Sequence, residues 1–449
     1  MFGPMNRDVF QTVQVFTPTM PARISFVERD LVNEKLVNAL STPGKQIVVY
    51  GHSGTGKTTL LDNKLNQIYS GHITVRCMKG STVDELKLQA FDLLNEYFVL
   101  ETGNSTKSNR DSNIEASYLA IKVQLKESVS VEHGQKSIRI VPVQLTAQNL
   151  ATFLGTKGLC LVIQDFHKVD TEEKVKLSQL MKVFMDCAVD YPSVKIIAIG
   201  AVETARQVVE YDPEMRNRVS EIHVDLMTEV ELLAIIEKGT RALNLIFPDN
   251  VKKAIAKYSS GLGAVCHQLC LNLCNAAGIL QTASVEVHIT QEHLEKAVSS
   301  YVEDCSDSIR NNFEKAMKVA RKLAVNHADV ILNSLSHFED LGTDRHKLLQ
   351  QIQKDSPSYT DGVLKKQLQT LKTETKGGLI KHNENSGLYS FANPIYRAYA
   401  LSLFHKTNSK YRQDAADSLT LPDLLRLLEK QLRAVSVRNI TPVRVGRTN

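Results

Sequence analysis

Gln46-Ile47-Val48-Val49-Tyr50-Gly51-His52-Ser53-Gly54-Thr55-Gly56-Lys57-Thr58-Thr59 is the stretch whose reading decides the fold. Gln46–Gly51 is a short continuous apolar run after Pro43-Gly44, as a strand buried on both faces should be. Residues 51–58 then fit G-x-x-x-x-G-K-[ST] in full. The glycines let the backbone wrap closely around a phosphate with its N–H groups pointing inward. A helix starting at Thr58 adds its positive end at the same spot. Lys57 is placed to reach the outer phosphates of a nucleotide, and the Thr58 hydroxyl to take a magnesium position, with Thr59 beside it. The cofactors expected are therefore ATP and Mg2+. A chance glycine-rich turn would not be flanked by both the strand and the helix.

A magnesium site needs a second acid on a neighbouring strand. Leu161-Val162-Ile163-Gln164-Asp165 is an apolar strand ending in one, so Asp165 joins Thr58 as the expected metal pair. Such strands usually close on two acids, one for the metal's water shell and one to polarise the attacking water. Here Gln164 has the size of glutamate without its charge, so one acidic role is vacant and slow hydrolysis is expected. His167 reads equally as a loop residue packing on the strand end or as part of the site. Tyr211–Val219 carries Arg216 and Arg218 between the fourth and fifth strands. That is where an arginine can project towards a neighbouring subunit's γ-phosphate. Arg218, directly before Val219, is the first choice and Arg216 the second; a solvated arginine pair is the bland alternative. His267, in Ser260–His267, is the basic candidate for a phosphate sensor in a helical lid, and reads equally as a core histidine. No G-x-S-x-G, H-E-x-x-H, paired C-x-x-C or N-K-x-D pattern competes, and the last absence favours adenine.

Working outward, strands at 72–77, 158–165, 194–200 and 221–224 alternate with helices at 31–40, 82–98 and 171–189. That alternation implies an α/β parallel-sheet core over 23–225. Residues 101–148 read as an insertion, with a Ser/Asn/Lys-rich loop and a hairpin at 120–125 and 136–145. Residues 226–325 read as a helical lid with a connector helix from Ser306 to Ala324. Residues 326–408 have the layout of a winged helix: three helices, then a ribbon through 377–391. Residues 1–22, with Pro4, Pro18 and Pro21, read as an extended arm; 409–449 read as a basic tail with a helix near 421–435.

The whole chain has 449 residues, 43% apolar and 23% charged, enough for two or three domains and against global disorder. A net charge of +5 allows a nucleic-acid partner without arguing for one. Seven cysteines without disulfide spacing read as free thiols of a reducing cytosol. Cys266, Cys270 and Cys274 share a helix face and read as small packing residues rather than a metal cluster. No stretch approaches the ~20 apolar residues of a membrane span, so a cytoplasmic protein without a membrane partner is expected.

These motifs, in this order, resemble the AAA+/STAND superfamily of P-loop ATPases. The branch they resemble includes origin-recognition initiators, transposition ATPases and bacterial antiphage-defence ATPases. The carriers are Phe26-Val27-Glu28-Arg29, the 51–59 loop, 161–170, 212–219 and 260–270. The resemblance implies an α/β ATPase core with a helical lid and a winged-helix-like domain. It also implies that Phe26, Glu28 and Arg29, with Ile24, lie near the adenine. The function it implies is an ATP-dependent homo-oligomer that gates an effector or regulatory protein, in antiviral defence. The alternative is a DNA-binding initiator, loader or transposition ATPase that uses the winged helix and basic tail. Two departures stand out: the Gln164-Asp165 pair, and Ala201-Val202-Glu203-Thr204 with no asparagine after the fourth strand.

Overall fold

The computed structural model describes residues 8–94, 145–201, 215, 217–318, 326–384 and 386–417, with side chains through His405 in the last of these segments. Strand β1 (Gln46–Tyr50) sits inside a five-stranded parallel sheet with β2 (His72–Arg76), β3 (Cys160–Gln164), β4 (Ile196–Gly200) and β5 (Val219–His223), in the order β2-β3-β4-β1-β5. Ile47, Val48 and Val49 are fully buried, as the apolar run demands of a strand covered on both faces. Strand alternation sends Val48 to one face and Ile47 and Val49 to the other, and each face has its own apolar core. Helices α2 (Asp30–Ser41) and α3 (Lys57–Ile68) supply one. Helices α4 (Val83–Leu94), α5 (Ala147–Thr156) and α6 (Thr171–Cys187) supply the other. Lys195, fully buried, donates to the Ala39, Leu40 and Thr42 carbonyls and so caps the end of α2 against the sheet.

The lid follows β5. It comprises α7 (Glu229–Leu243), α8 (Asp249–Ser259), α9 (Gly263–Ala276) and α10 (Gln291–Asp304), with the short parallel pair β6 (Leu245–Ile246) and β7 (Val287–His288). Thr228 and Glu231 close a reciprocal capping box at the start of α7, as their spacing signals. Next come α11 (Asp307–Met317), α12 (His327–Ser336), α13 (Arg345–Asp355) and α14 (Asp361–Leu371). An antiparallel ribbon of β8 (Ile380–Asn383) and β9 (Leu388–Phe391) leads into α15 (Pro394–Asp417). One continuous apolar core runs from Val15 through the lid to Phe404. The lid and the segment after residue 326 are therefore packed on the same interior.

Several expectations are corrected. The arm expected to be extended over 1–22 is, from Asp8 onward, docked on the lid. It carries a short helix, α1 (Thr12–Val15), and Val15 and Phe16 are fully buried. The reason is apolar: the Phe16 ring occupies the space beside Gly239, where an added Cβ would come within 2.3 Å of it. The fifth strand begins at Val219, two residues before the expected start, because it pairs along the whole of β1. The segment expected as an insertion ends earlier than 148, since Thr146 already caps α5. The helix expected from Ser306 to Ala324 is α11, which ends at Met317. The expected hairpin at 120–125 and 136–145, the loop from 101, the tail helix near 421–435 and the basic end lie outside the described residues, apart from Leu145, which precedes α5. Among the described residues no helix is long and apolar enough to cross a membrane.

Candidate functional site

The phosphate loop is built by its glycines. Gly56 adopts φ +88° in the position that caps α3, a left-handed conformation that glycine takes without strain. Gly51 is pressed against the following strand connection, where a Cβ would stand 2.4 Å from the Val224 carbonyl. Thr55 is buried and its hydroxyl donates to the His52 carbonyl at 2.9 Å, fixing the loop's curl. The Lys57 ammonium donates to the Gly51 and His52 carbonyls at 2.9 and 2.6 Å. Burial lowers its pKa to about 8, and the neighbouring Asp165 charge opposes that shift. Thr58 is exposed on the first turn of α3.

The loop opens on a cavity of about 850 Å³, within the range of ligand pockets. Gly51, Ser53, Gly54, Thr55, Gly56, Lys57, Thr58 and Thr59 line it, as expected from the sequence. Phe26, Arg29, Gln164, Asp165 and His267 line it too. His52 does not: it faces the C-terminal segment, where the Asp340 and Lys381 charges act on it. Glu28 is also absent from the lining. Its carboxylate pairs with Lys64 at 3.0 Å and accepts from Asn33 at 2.8 Å, so it braces α2 against α3 rather than meeting a base. Arg29 is fully engaged with the lid entry. It binds Glu231 at 3.0 Å and the Asp225 and Leu226 carbonyls at 3.0 and 3.2 Å.

At the carboxyl end of β3, Gln164 sits in register with Arg76 of β2, whose Nε donates to the Gln164 side-chain oxygen at 3.3 Å. Asp165 follows at φ 57° with its carboxylate 2.7 Å from Lys168 and half-exposed. His167 lines the same cavity, its pKa lowered mainly by burial. Sequence reasoning missed the β2 contribution of His72, Thr74 and Arg76, which line the cavity at every second position. It also missed the strap from Thr17 to Ala22. The pairing of β2 with β3 was the available signal for the first; nothing local signals the second.

Of the two readings of His267, its surroundings favour the core histidine. It is 5% exposed, its Nδ1 accepts from the Thr17 backbone N–H at 3.0 Å, and burial lowers its pKa to about 4. The ring is therefore neutral with its proton on Nε2, and carries no positive charge to sense phosphate. Arg218 lies at the amino end of β5, the end of the sheet remote from the loop, with its guanidinium against the Met185 sulfur at 3.6 Å. The structure does not bring it to this chain's own cavity. Arg216 lies outside the described residues. Cys266, Cys270 and Cys274 are fully buried on one face of α9, and no group of metal-ligating side chains is present among the described residues.

A parallel sheet carries the phosphate loop after β1 and an acid just beyond β3, two strands away in the same sheet, and the helical lid bonds the loop through the Ala264 N–H. The chain has an α/β P-loop fold with a helical lid. No protein-family profile and no curated protein matches it. Solved structures do. A Walker-type ATPase of Pyrococcus abyssi is similar at 14% identity and a TM-score of 0.48, over 85% of this chain and 97% of that one. Cdc6p from Pyrobaculum aerophilum is similar at 14% identity and 0.41, over 88% and 98%. The RuvB Holliday junction branch migration motor of Thermotoga maritima is similar at 13% and 0.41, over 85% and 97%.

Proposed function

We propose that the chain is an ATP-binding and slowly hydrolysing switch whose nucleotide state is passed from the phosphate loop through the lid to the C-terminal segment. One connected contact carries this reading. The Ala264 N–H at the start of α9 donates to the Gly54 carbonyl of the loop at 3.1 Å. Four residues earlier, the Ser260 hydroxyl accepts from Arg397 of α15 at 2.9 Å. Arg397 also donates to the Ser336 carbonyl at the end of α12. A shift of the loop on a γ-phosphate therefore pulls on residues 260–264 and, through Arg397, on the helices that follow residue 326. The donor set fits the cofactors: loop amides and Lys57 for phosphates, the Thr58 hydroxyl and Asp165 for Mg2+. Bound magnesium would supply positive charge between the outer phosphates.

In this reading the molecule self-assembles on ATP and gates a partner effector, with antiviral defence as the setting that the resemblance implies. A second reading is favoured by α12–α14 with the β8–β9 ribbon, the layout of a winged helix, which carries exposed Lys365 and Lys366 on α14. There the same switch would load or release a DNA duplex, and binding would fall steeply with salt.

The test is amide hydrogen exchange with and without ATP and magnesium. Protection should change in 327–405 as well as at the loop. Arg397→Gln should abolish the distant change while leaving ATP affinity within about twofold, as expected for a contact outside the site. Exchange confined to the cavity in the wild-type protein would refute the switch.

A further inference from the structure

A magnesium ion in a nucleotide site is held by one or two carboxylates together with the phosphates. The carboxyl end of β3 is sparsely furnished for this. Gln164 is neutral, and its side-chain oxygen already accepts from Arg76 at 3.3 Å. The carboxylate beside it, Asp165, is held by Lys168, whose ammonium stands 2.7 Å from Oδ2. Gln164, Asp165 and Lys168 all line the cavity.

The backbone ties this pair together. Asp165 takes φ 57°, a left-handed conformation that aspartate tolerates better than most residues. The chain then closes one tight turn, Phe166–Lys168, in which the Lys168 N–H donates to the Asp165 carbonyl at 2.9 Å. Phe166 and Val169 are buried in the core of the sheet and anchor the turn from below. The Lys168 ammonium is thus tethered three residues from the carboxylate. The same carboxylate acts on Lys57, so the pair stands at the phosphate end of the cavity.

Charge points the same way. Arg29 is met by Glu231 at 3.0 Å. Lys57, Arg76 and Lys168 remain on the lining, against Asp165 and, one turn beyond Thr58 on α3, Asp62. His167 adds no positive charge at neutral pH, since burial lowers its pKa. A lining with cations in excess attracts the more negative form of a nucleotide, the form without a metal.

We infer that Lys168 is a specificity-determining residue of the nucleotide site: its ammonium supplies beside Asp165 the positive charge that a divalent cation would bring, so free ATP binds about as well as its magnesium complex. This rests on the reading of the cavity as a nucleotide site. For Asp165 to serve a metal, Lys168 must release it, and the charge that arrives is offset by the charge that withdraws. Affinity therefore depends little on the metal, while the Thr58 hydroxyl and Asp165 stay available to it.

Calorimetric titration of ATP in excess magnesium and in EDTA tests this. The two wild-type affinities should agree within about fivefold, less than 1 kcal/mol. Lys168→Met keeps the stem and removes the charge. It should weaken ATP by about tenfold in EDTA, the worth of one charge-assisted hydrogen bond. In magnesium its affinity should stay within about fivefold of the wild type, because the freed Asp165 accepts the metal. Lys168→Arg should restore binding in EDTA. A wild-type loss in EDTA larger than about fivefold overturns the inference and needs no variant to fold. So does a Lys168→Met protein that matches the wild type in both solutions, or one weakened equally in both. A wild-type protein that binds ATP in neither solution refutes the nucleotide-site reading itself, which is a separate outcome.

Discussion

At the scale of single residues, the proposed chemistry rests on Gln164 and Lys57. Gln164 sits at the carboxyl end of β3, on the cavity wall, held by Arg76 at 3.3 Å. It can orient a water but cannot accept its proton, and removing a general base typically costs ~100- to 10,000-fold. Gln164→Glu should therefore raise steady-state phosphate release. The gain should be near ~100-fold, the low end, because Arg76 would hold the new carboxylate ionised and weaken it as a base. Equal rates in the two proteins would place Gln164 outside the reacting groups. Lys57 has a pKa lowered to about 8 by burial in the free protein. A phosphate beside it restores the charged form, so ATP binding takes up a proton once the pH exceeds about 8. Affinity should hold steady below that pH and fall by up to about tenfold per pH unit above it. Calorimetry in two buffers of different ionisation enthalpy should show proton uptake near zero at neutral pH and rising in alkali. The Lys57→Arg protein should show none.

At the scale of elements, the strap and α9 are coupled through His267. A folded pKa of about 4 against the ordinary 6.5 means that the unfolded chain takes up a proton that the folded chain refuses. The stability tied to this neutral ring is full above about pH 6.5 and is lost progressively as the pH falls towards 4. The loss amounts to about 2 kcal/mol by pH 5. Thermal melts at pH 7 and pH 5 should therefore differ by less in His267→Asn, whose side-chain oxygen can still accept from Thr17 but does not titrate. An unchanged pH dependence would mean that other groups dominate. The same region shows what was legible in the sequence. The loop at 51–58, β1, β3 and β4 were readable because buried strands are runs of apolar residues and the glycine spacing is specific. The Thr228–Glu231 capping box was readable because both partners are local. The strap was not. Its partner His267 lies 250 residues away in sequence, as do, at a similar distance, the Ile279 and Leu280 carbonyls that hold Thr12 just before it, and a proline-bearing segment without periodicity gives no sign of what it packs on. Glu28 was expected near the adenine from the resemblance alone, and His267 read equally as a phosphate sensor or a core histidine. The Glu28 carboxylate is instead paired with Lys64, and burial lowers the His267 pKa to about 4, in keeping with the core reading.

At the scale of the whole molecule, the position of Arg218 decides how the site can be completed. It precedes β5, which runs parallel to β1, and the phosphate loop follows the opposite end of β1. Five strand residues separate those ends, roughly 16 Å at 3.3 Å per residue, so Arg218 cannot serve the loop of its own chain. If it serves a γ-phosphate at all, that phosphate is bound by a neighbouring copy, and the site is complete only in an assembly. An arginine acting this way is worth about 1,000- to 100,000-fold in turnover. Arg218→Ala should thus bind ATP normally and hydrolyse it poorly, while Lys57→Ala should fail to bind it. Neither protein alone turns over, for different reasons. Mixed together, a Lys57→Ala chain can lend its intact arginine to the intact loop of an Arg218→Ala chain, so phosphate release should return in proportion to mixed contacts. Arginine acting within one chain predicts no recovery on mixing, and so does an arginine with no part in the reaction, which would also leave Arg218→Ala fully active alone. The three outcomes are separated by one phosphate-release assay on two proteins and their mixture.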